Sequence, residues 1–323
     1  MIKLFYFNLA NNSSKNIKLN KYIQVIRPKL GAQGKMSKQS IINRLEAMNL
    51  WADKNPQYQH IAELHKGILR IILEIEERPN KGAVRTLQEK EVNSLIDIAL
   101  STKTPIIRSL EPSIFKAKTI KDSVIKATEY LTKSGTDEWK LSHLSEALRS
   151  NKIDINKAIL AVINEDTDWF KETGEKYGAE PPILIYIFSL PLQPFFEDLS
   201  TKVQSRLRER WFESYCPVCG RQSSIARMLD RKRYMVCMYC STEYLIDQFT
   251  CVNCGNNDPN TLGFISLEEY PGYEIDYCEK CSKYIKVIYP DRVINKIPQG
   301  FDDLFTWELD DFAENSGLGL KRN

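Results

Sequence analysis

Cys216-Pro-Val-Cys219-Gly220, Cys237-Met-Tyr-Cys240-Ser241, Cys251-Val-Asn-Cys254-Gly255 and Cys278-Glu-Lys-Cys281-Ser282 together hold all eight cysteines of this 323-residue chain. A tetrahedral metal takes four thiolates, and two tight Cys-x-x-Cys knuckles supply them at little cost in loop entropy. Eight ligands therefore make two sites. The residues that follow the second cysteines run Gly220, Ser241, Gly255, Ser282. A glycine there lets the chain take a positive φ while amides turn toward sulfur. The Gly, Ser, Gly, Ser alternation reads as one module used twice. It pairs Cys216 and Cys219 with Cys237 and Cys240 across 17 intervening residues, and Cys251 and Cys254 with Cys278 and Cys281 across 23. Both gaps fit the β-hairpin of a zinc-ribbon or rubredoxin-like module, and an interleaved pairing is less economical. Four protein ligands close a site, so such a site orders the chain and leaves no position for a hydrolytic water. From the sequence, zinc and iron fit a tetrathiolate equally well. The competing reading, redox dithiols or disulfides, is disfavoured by the complete pairing and by the reducing cytoplasm expected for the chain.

Outward from the knuckles the pattern is helical. Residues 1–212 contain no cysteine. Ile41, Leu45 and Met48 recur at helix spacing up to Asn55-Pro56. Ile61, Leu64, Ile68, Ile71 and Ile75 form one stripe, stopped by Arg78-Pro79-Asn80. Thr86-Leu-Gln-Glu89 reads as a capping box before Val92, Leu95, Ile96 and Leu100. Further helices are expected at about 113–133, 137–150, 154–175 and 183–211, which makes the segment an all-α bundle. Residues 213–290 are rich in Tyr, Cys and Gly. They carry β-like runs at Arg233-Tyr-Met-Val-Cys237, Tyr244-Leu-Ile246, Leu262-Gly-Phe-Ile265 and Tyr284-Ile-Lys-Val-Ile-Tyr289. Phe301–Asp310 reads as an acidic amphipathic helix and 315–323 as a frayed end. The organisation expected is a helical domain over 1–212, metal modules over 213–250 and 251–290, and a C-terminal helix and tail over 291–323.

Composition narrows the function classes. With 45 basic and 42 acidic residues the net charge is +3, too small a basic excess to argue for nucleic acid. The first module has five cations and four anions and the second three and six, a combined −2 before the thiolates. Arg227-Met-Leu-Asp-Arg231-Lys-Arg233 is read as a solvated hairpin tip, and Lys202–Arg210 as the cationic end of the last helix. His60, His65 and His143 are too few and wrongly spaced for a catalytic imidazole site. The tyrosines around the knuckles (Tyr234, Tyr239, Tyr244, Tyr277 and Tyr284) read as module cores rather than a base-stacking platform. There is no phosphate-cradling glycine loop and no nucleophile elbow. The longest apolar run, Pro181–Leu192, is shorter than the roughly 20 residues that span a bilayer. It reads as a buried segment, and no membrane association is expected. The N-terminus is too short in apolar residues for a secretory signal.

A cysteine-free helical region leads into four knuckles, with Ser241-Thr-Glu-Tyr244 after the second and Asp302-Asp-Leu-Phe-Thr-Trp-Glu-Leu-Asp310 near the end. In this order the motifs resemble the formate dehydrogenase accessory protein family, FdhE. Tyr244 stands where that family usually has tryptophan, and Gln248-Phe-Thr250 replaces a more basic run. The resemblance implies an α-helical domain followed by two rubredoxin-like modules, with the eight cysteines as ligands to two metal ions, zinc or iron. It implies a non-enzymatic assembly factor that binds the catalytic subunit of a molybdenum- or tungsten-type formate dehydrogenase during maturation. A homo-oligomer is compatible with the sequence. Two other classes remain open: a nucleic-acid-binding zinc-ribbon protein, and a rubredoxin-like electron carrier.

Overall fold

The computed structural model describes residues 38–77, 82–134, 141–294, 297 and 300–319. The apolar opening of the chain, the Arg78-Pro79-Asn80 stop and residues 320–323 lie outside these. The chain divides into two compact units. Among the described residues, one holds 38–89 and Ile107–Asp198, and the other holds Lys90–Ile106 and 199–319.

The first unit is helical: α1 (Lys38–Lys54), α2 (Gln59–Glu77), α4 (Ala117–Ser134), α5 (Ser142–Arg149), α6 (Ile155–Asn164), α7 (Thr167–Tyr177), α8 (Pro181–Ser189) and the start of α9 (Gln193–Leu207), while α3 (Glu89–Thr102) belongs to the second. The stripe read on α2 is buried, with Leu64, Ile68 and Ile75 at 4% exposure or less. α2 packs against α4 through Gly67, where an added Cβ would lie 1.9 Å from the Tyr130 ring. The Tyr130 hydroxyl donates to Glu63 O at 3.1 Å. Two expectations need correction. The helix read over 154–175 is two helices, because Glu165 takes a left-handed φ of 54° and the Asp166 carboxylate accepts from Trp169 N, capping a new start. The helix read over 183–211 is broken by a 3₁₀ turn at Leu190-Pro191-Leu192, where proline removes a donor. The apolar run is buried there: Leu184, Ile187 and Leu192 are fully enclosed. No helix among the described residues is long and apolar enough to cross a membrane.

His65 lies on α2. Burial holds it at about 3, far below its ordinary 6.5. The folded chain thus keeps it neutral where the unfolded chain takes a proton, so stability present at pH 7 is lost as pH falls below 6.5. With partial exposure discounted, the loss is about 1 kcal/mol between pH 7 and pH 5. His65→Gln should flatten the pH dependence of urea unfolding by that amount, and identical profiles for both chains would refute the assignment.

The second unit is built on one six-stranded sheet, in the order β3-β2-β1-β6-β5-β4: β1 (Ile225–Leu229), β2 (Lys232–Val236), β3 (Glu243–Ile246), β4 (Leu262–Ser266), β5 (Tyr273–Cys278) and β6 (Lys283–Ile288). All neighbours are antiparallel except β1 and β6, where Ile225, Ala226 and Arg227 pair in parallel with Lys286, Val287 and Ile288. The two hairpin modules are thereby joined edge to edge. The supposed basic cluster is the β1–β2 hairpin. Asp230 and Arg231 both have positive φ at its turn, as a two-residue hairpin demands. Two of its four cations are engaged internally: Arg227 pairs with Glu243 and Asp302, at 3.1 and 3.2 Å, and Arg233 is buried against Asp276 and Thr250 O, while Arg231 and Lys232 at the tip are exposed.

The acidic C-terminal helix is two helices, α10 (Asp302–Phe305) and α11 (Trp307–Asn315), bent at Thr306. Leu309 and Ala313 pack on Ile225, Tyr273, Ile275 and Ile288 of the sheet. Residues 316–319, expected to fray, are held. Leu318 packs against the same core, and Gly319 N donates to Ser282 O at 2.6 Å.

Candidate metal centres

Each knuckle closes the same way. Gly220 N, Ser241 N and Gly255 N donate to the carbonyl of the first cysteine of their knuckle at 2.8–3.0 Å. The N–H groups of Cys216, Cys237 and Cys251 donate to the carbonyl five residues on, at 2.7–2.9 Å, and Cys278 pairs with Lys283 in the same register. Gly220, Ser241, Gly255 and Ser282 have φ of 79°, 59°, 72° and 55°, so the alternation read in the sequence marks four copies of one left-handed turn. The turn aims both sulfurs of a knuckle to one side.

The sulfurs gather as two groups, Cys216, Cys219, Cys237 and Cys240, and Cys251, Cys254, Cys278 and Cys281, with all Sγ atoms of a group within 4.8 Å of one another. Knuckles pair with their neighbours along the chain. Cys216 and Cys240 are 3.5 Å apart, Cys219 and Cys237 3.4 Å, Cys251 and Cys281 3.7 Å, and Cys254 and Cys278 3.8 Å. A disulfide would need about 2.05 Å. Four sulfurs about 2.3 Å from a central zinc stand about 3.8 Å apart along each edge of the tetrahedron. The separations are those of a cage, and each group could hold one metal ion.

Holding all four first-cage sulfurs ionised would take a cation. Burial pushes the Cys219 and Cys240 thiols up, while hydrogen bonds from Cys216, Cys219 and Cys240 pull Cys237 down. Four buried sulfurs left to themselves would not all ionise, and a central divalent ion removes that obstacle.

Two side chains support the sulfurs: Thr242, read in the sequence only as part of the Ser241–Tyr244 motif, and Asn256, which was not singled out. Thr242 Oγ1 lies 3.0 Å from Cys240 Sγ and donates to Ser200 Oγ at 2.9 Å. Asn256 Nδ2 donates to Cys278 Sγ at 3.4 Å and to Thr261 Oγ1 at 2.8 Å. Both follow a knuckle by two residues, where the turn directs a side chain back at sulfur, and that spacing was the available signal. Tyr244, at the tryptophan position, is fully buried, with its hydroxyl 3.2 Å from Ser223 Oγ. The tyrosines read as module cores divide: Tyr234 and Tyr244 are buried, while Arg221 stacks on Tyr239 at 3.6 Å. Both groups consist of cysteine alone, and His60, His65 and His143 take no part in them.

The cages differ in access. All four cysteines of the first are buried, whereas Cys254 of the second is exposed and Cys281 half-buried. N-ethylmaleimide should therefore label Cys254 before any first-cage cysteine, and a competing chelator should draw off one metal equivalent ahead of the other. Mass spectrometry of a time course checks this; first-cage peptides labelled as fast as Cys254 would contradict it.

A helical unit with a sheet unit that carries two four-cysteine cages defines the class, a helical protein with tandem zinc-ribbon-like modules. It is similar to FdhE proteins. The chain is 32% identical over 152 residues to the Protein FdhE homolog of Aquifex aeolicus (45% of this chain, 53% of that one). It is 29% identical over 134 residues to Protein FdhE of Salmonella arizonae (39% and 42%). The matched region thus spans about half the length of these curated relatives. No family model matches the chain. The crystal structure of the FdhE protein from Pseudomonas aeruginosa has the same fold, with a TM-score of 0.59 at 16% identity over 90% of this chain and 96% of that one. The resemblance read from the knuckles holds.

Proposed function

We propose that the chain is a non-enzymatic accessory protein that binds the catalytic subunit of a formate-dehydrogenase-type oxidoreductase in the cytoplasm during its maturation. The supporting observation is the pair of four-cysteine cages, closed by protein ligands, in a chain similar to FdhE proteins. In this reading Cys216, Cys219, Cys237, Cys240, Cys251, Cys254, Cys278 and Cys281 are metal ligands. When bound, zinc or iron supplies a rigid tetrahedral cross-link, and iron adds one-electron redox chemistry. The cages let a small sheet stay ordered without a large core, and so present a fixed surface to an incompletely folded client. Pull-down from the native host tests this: the wild-type chain should recover a molybdenum- or tungsten-type catalytic subunit, and Cys237→Ser should not. Recovery of no such subunit by the wild type defeats the reading.

The exposure of Cys254 favours one second reading, a rubredoxin-like electron carrier. It predicts iron and a reversible thiolate-to-iron absorption band. Colourless protein with tightly held zinc removes it. The nucleic-acid reading is disfavoured further, because Arg227 and Arg233 are engaged with Glu243, Asp302 and Asp276.

A further inference from the structure

The sheet has two edges, and they are treated differently. At β3, Leu245 N donates to Arg208 O at 2.8 Å. At β4, the ladder to β5 leaves every second residue facing out. Glu279 N donates to Thr261 O, so in this register Thr261, Gly263 and Ile265 exchange their hydrogen bonds with Glu279, Tyr277 and Ile275. Leu262, Phe264 and Ser266 then turn their N–H and C=O groups away from β5, to a side where no strand pairs among the described residues. Folded proteins guard such an edge with lysine, proline or a bulge. Leu262-Gly-Phe-Ile-Ser266 has none, and its register with β5 runs unbroken. Ile265 packs inward against the core, while the Phe264 side chain is 67% exposed.

Acidic side chains predominate along the chain that forms this edge, up to Lys280, which is exposed beside Glu279. From Tyr234 to Glu279 the chain contains eight acidic residues and no lysine or arginine. Asp258, just before β4, and Glu268 and Glu269, just after it, are exposed, as is Glu279 at the end of the paired strand.

We propose that the β4 edge binds an extended, lysine- or arginine-rich segment of the client by strand addition, with Phe264 as the apolar anchor. This deepens the client reading above by naming where the client is held and by what chemistry. Main-chain hydrogen bonds give the affinity, and the acidic flanks select cationic sequence and speed encounter.

The test is a fluorescence titration of the full chain with a short peptide of alternating lysine and valine. The wild type should bind it. A glutamate–valine counterpart, and a version N-methylated along one edge, should bind at least about tenfold more weakly, because lost hydrogen bonds and misplaced charges both weaken strand addition. Phe264→Pro removes an outward donor at a position where an edge strand tolerates proline. Phe264→Lys restores the missing guard. Both should lose the peptide by a similar factor while keeping the metal content of the wild type. Equal binding of the lysine and glutamate peptides, or undiminished binding by both variants, overturns the proposal. The occupant is read by a benzophenone cross-linker at position 264. Adducts to the peptide support the proposal. Adducts to a second copy, or to the chain's own residues 1–45, which hold nine cations and no acid, overturn it. Client pull-down is scored separately. A client recovered equally by wild type and Phe264→Pro defeats the edge alone, whereas no client with wild type defeats the accessory reading and leaves the peptide titration to decide the edge.

Discussion

Cys237→Ser should remove about one metal ion per chain and unfold the β1–β3 half of the sheet. Cys237 is 1% exposed, and its Sγ lies 3.4 Å from Cys219 Sγ inside a cage whose members are all buried. A serine hydroxyl is a poor metal ligand, and the three remaining sulfurs would be left in an apolar site with nothing to neutralise them. Structural zinc sites contribute apparent binding free energies of about 10–16 kcal/mol at neutral pH, and much of that is folding free energy. Losing one of four ligands should thus cost more than about 5 kcal/mol, comparable with the whole stability of an ordinary domain. Metal analysis and hydrogen exchange at Val236 and Leu245 measure the two effects together. Cys254→Ser, at the exposed corner of the second cage, should also release about one ion. It should leave β1–β3 protected and loosen only the β4–β5 hairpin. Unchanged metal content and protection in Cys237→Ser would show that Cys237 holds no ion.

The second large effect is expected at Lys286→Met. Lys286 is 0% exposed, on β6 in the middle of the sheet. Its ammonium lies 2.8 Å from both Asp303 Oδ1 and Asp310 Oδ2 and donates to Asp303 O at 3.0 Å. Tyr284 donates to the other oxygen of Asp310 at 2.8 Å, and Ser224 to Asp303 at 3.3 Å. One cation thus fastens α10 and α11 to the sheet. Removing it strands two carboxylates with little access to water, at a cost of about 3–5 kcal/mol. Removing the charges together, as in Lys286→Met with Asp303→Asn and Asp310→Leu, should recover most of that loss. Urea unfolding, with hydrogen exchange at Leu309 and Ala313, provides the readout. A single variant as stable as the wild type would mean that the helices are held by Leu309 and Ala313 alone.

The cages were legible because chelation is local. Two sulfurs per knuckle and a left-handed turn after each are written within five residues. The helical unit was legible where apolar spacing was regular, as on α2. It misled where a short signal interrupts a long pattern, at Glu165-Asp166 and at Pro191. The sheet was harder to read. β1 looked like a basic cluster because the partners of Arg227, Glu243 and Asp302, lie 16 and 75 residues away. β5 was missed because Glu274 and Asp276, alternating with inward Tyr273 and Ile275, counted as charge rather than as the other half of an alternation. The parallel pairing of β1 with β6 joins segments that no local pattern relates. Lys286 likewise gave no hint of burial, since its neutralising carboxylates stand on helices beyond the end of the sheet.

Metal analysis of the full chain, purified without added metal and read by X-ray absorption, tests the central claim most directly. Two ions per chain, each with four sulfur neighbours at about 2.3 Å, is the predicted result. Fewer than one ion per chain with free thiols, sulfurs joined as disulfides, or an ion with oxygen or nitrogen in its first coordination sphere would contradict it.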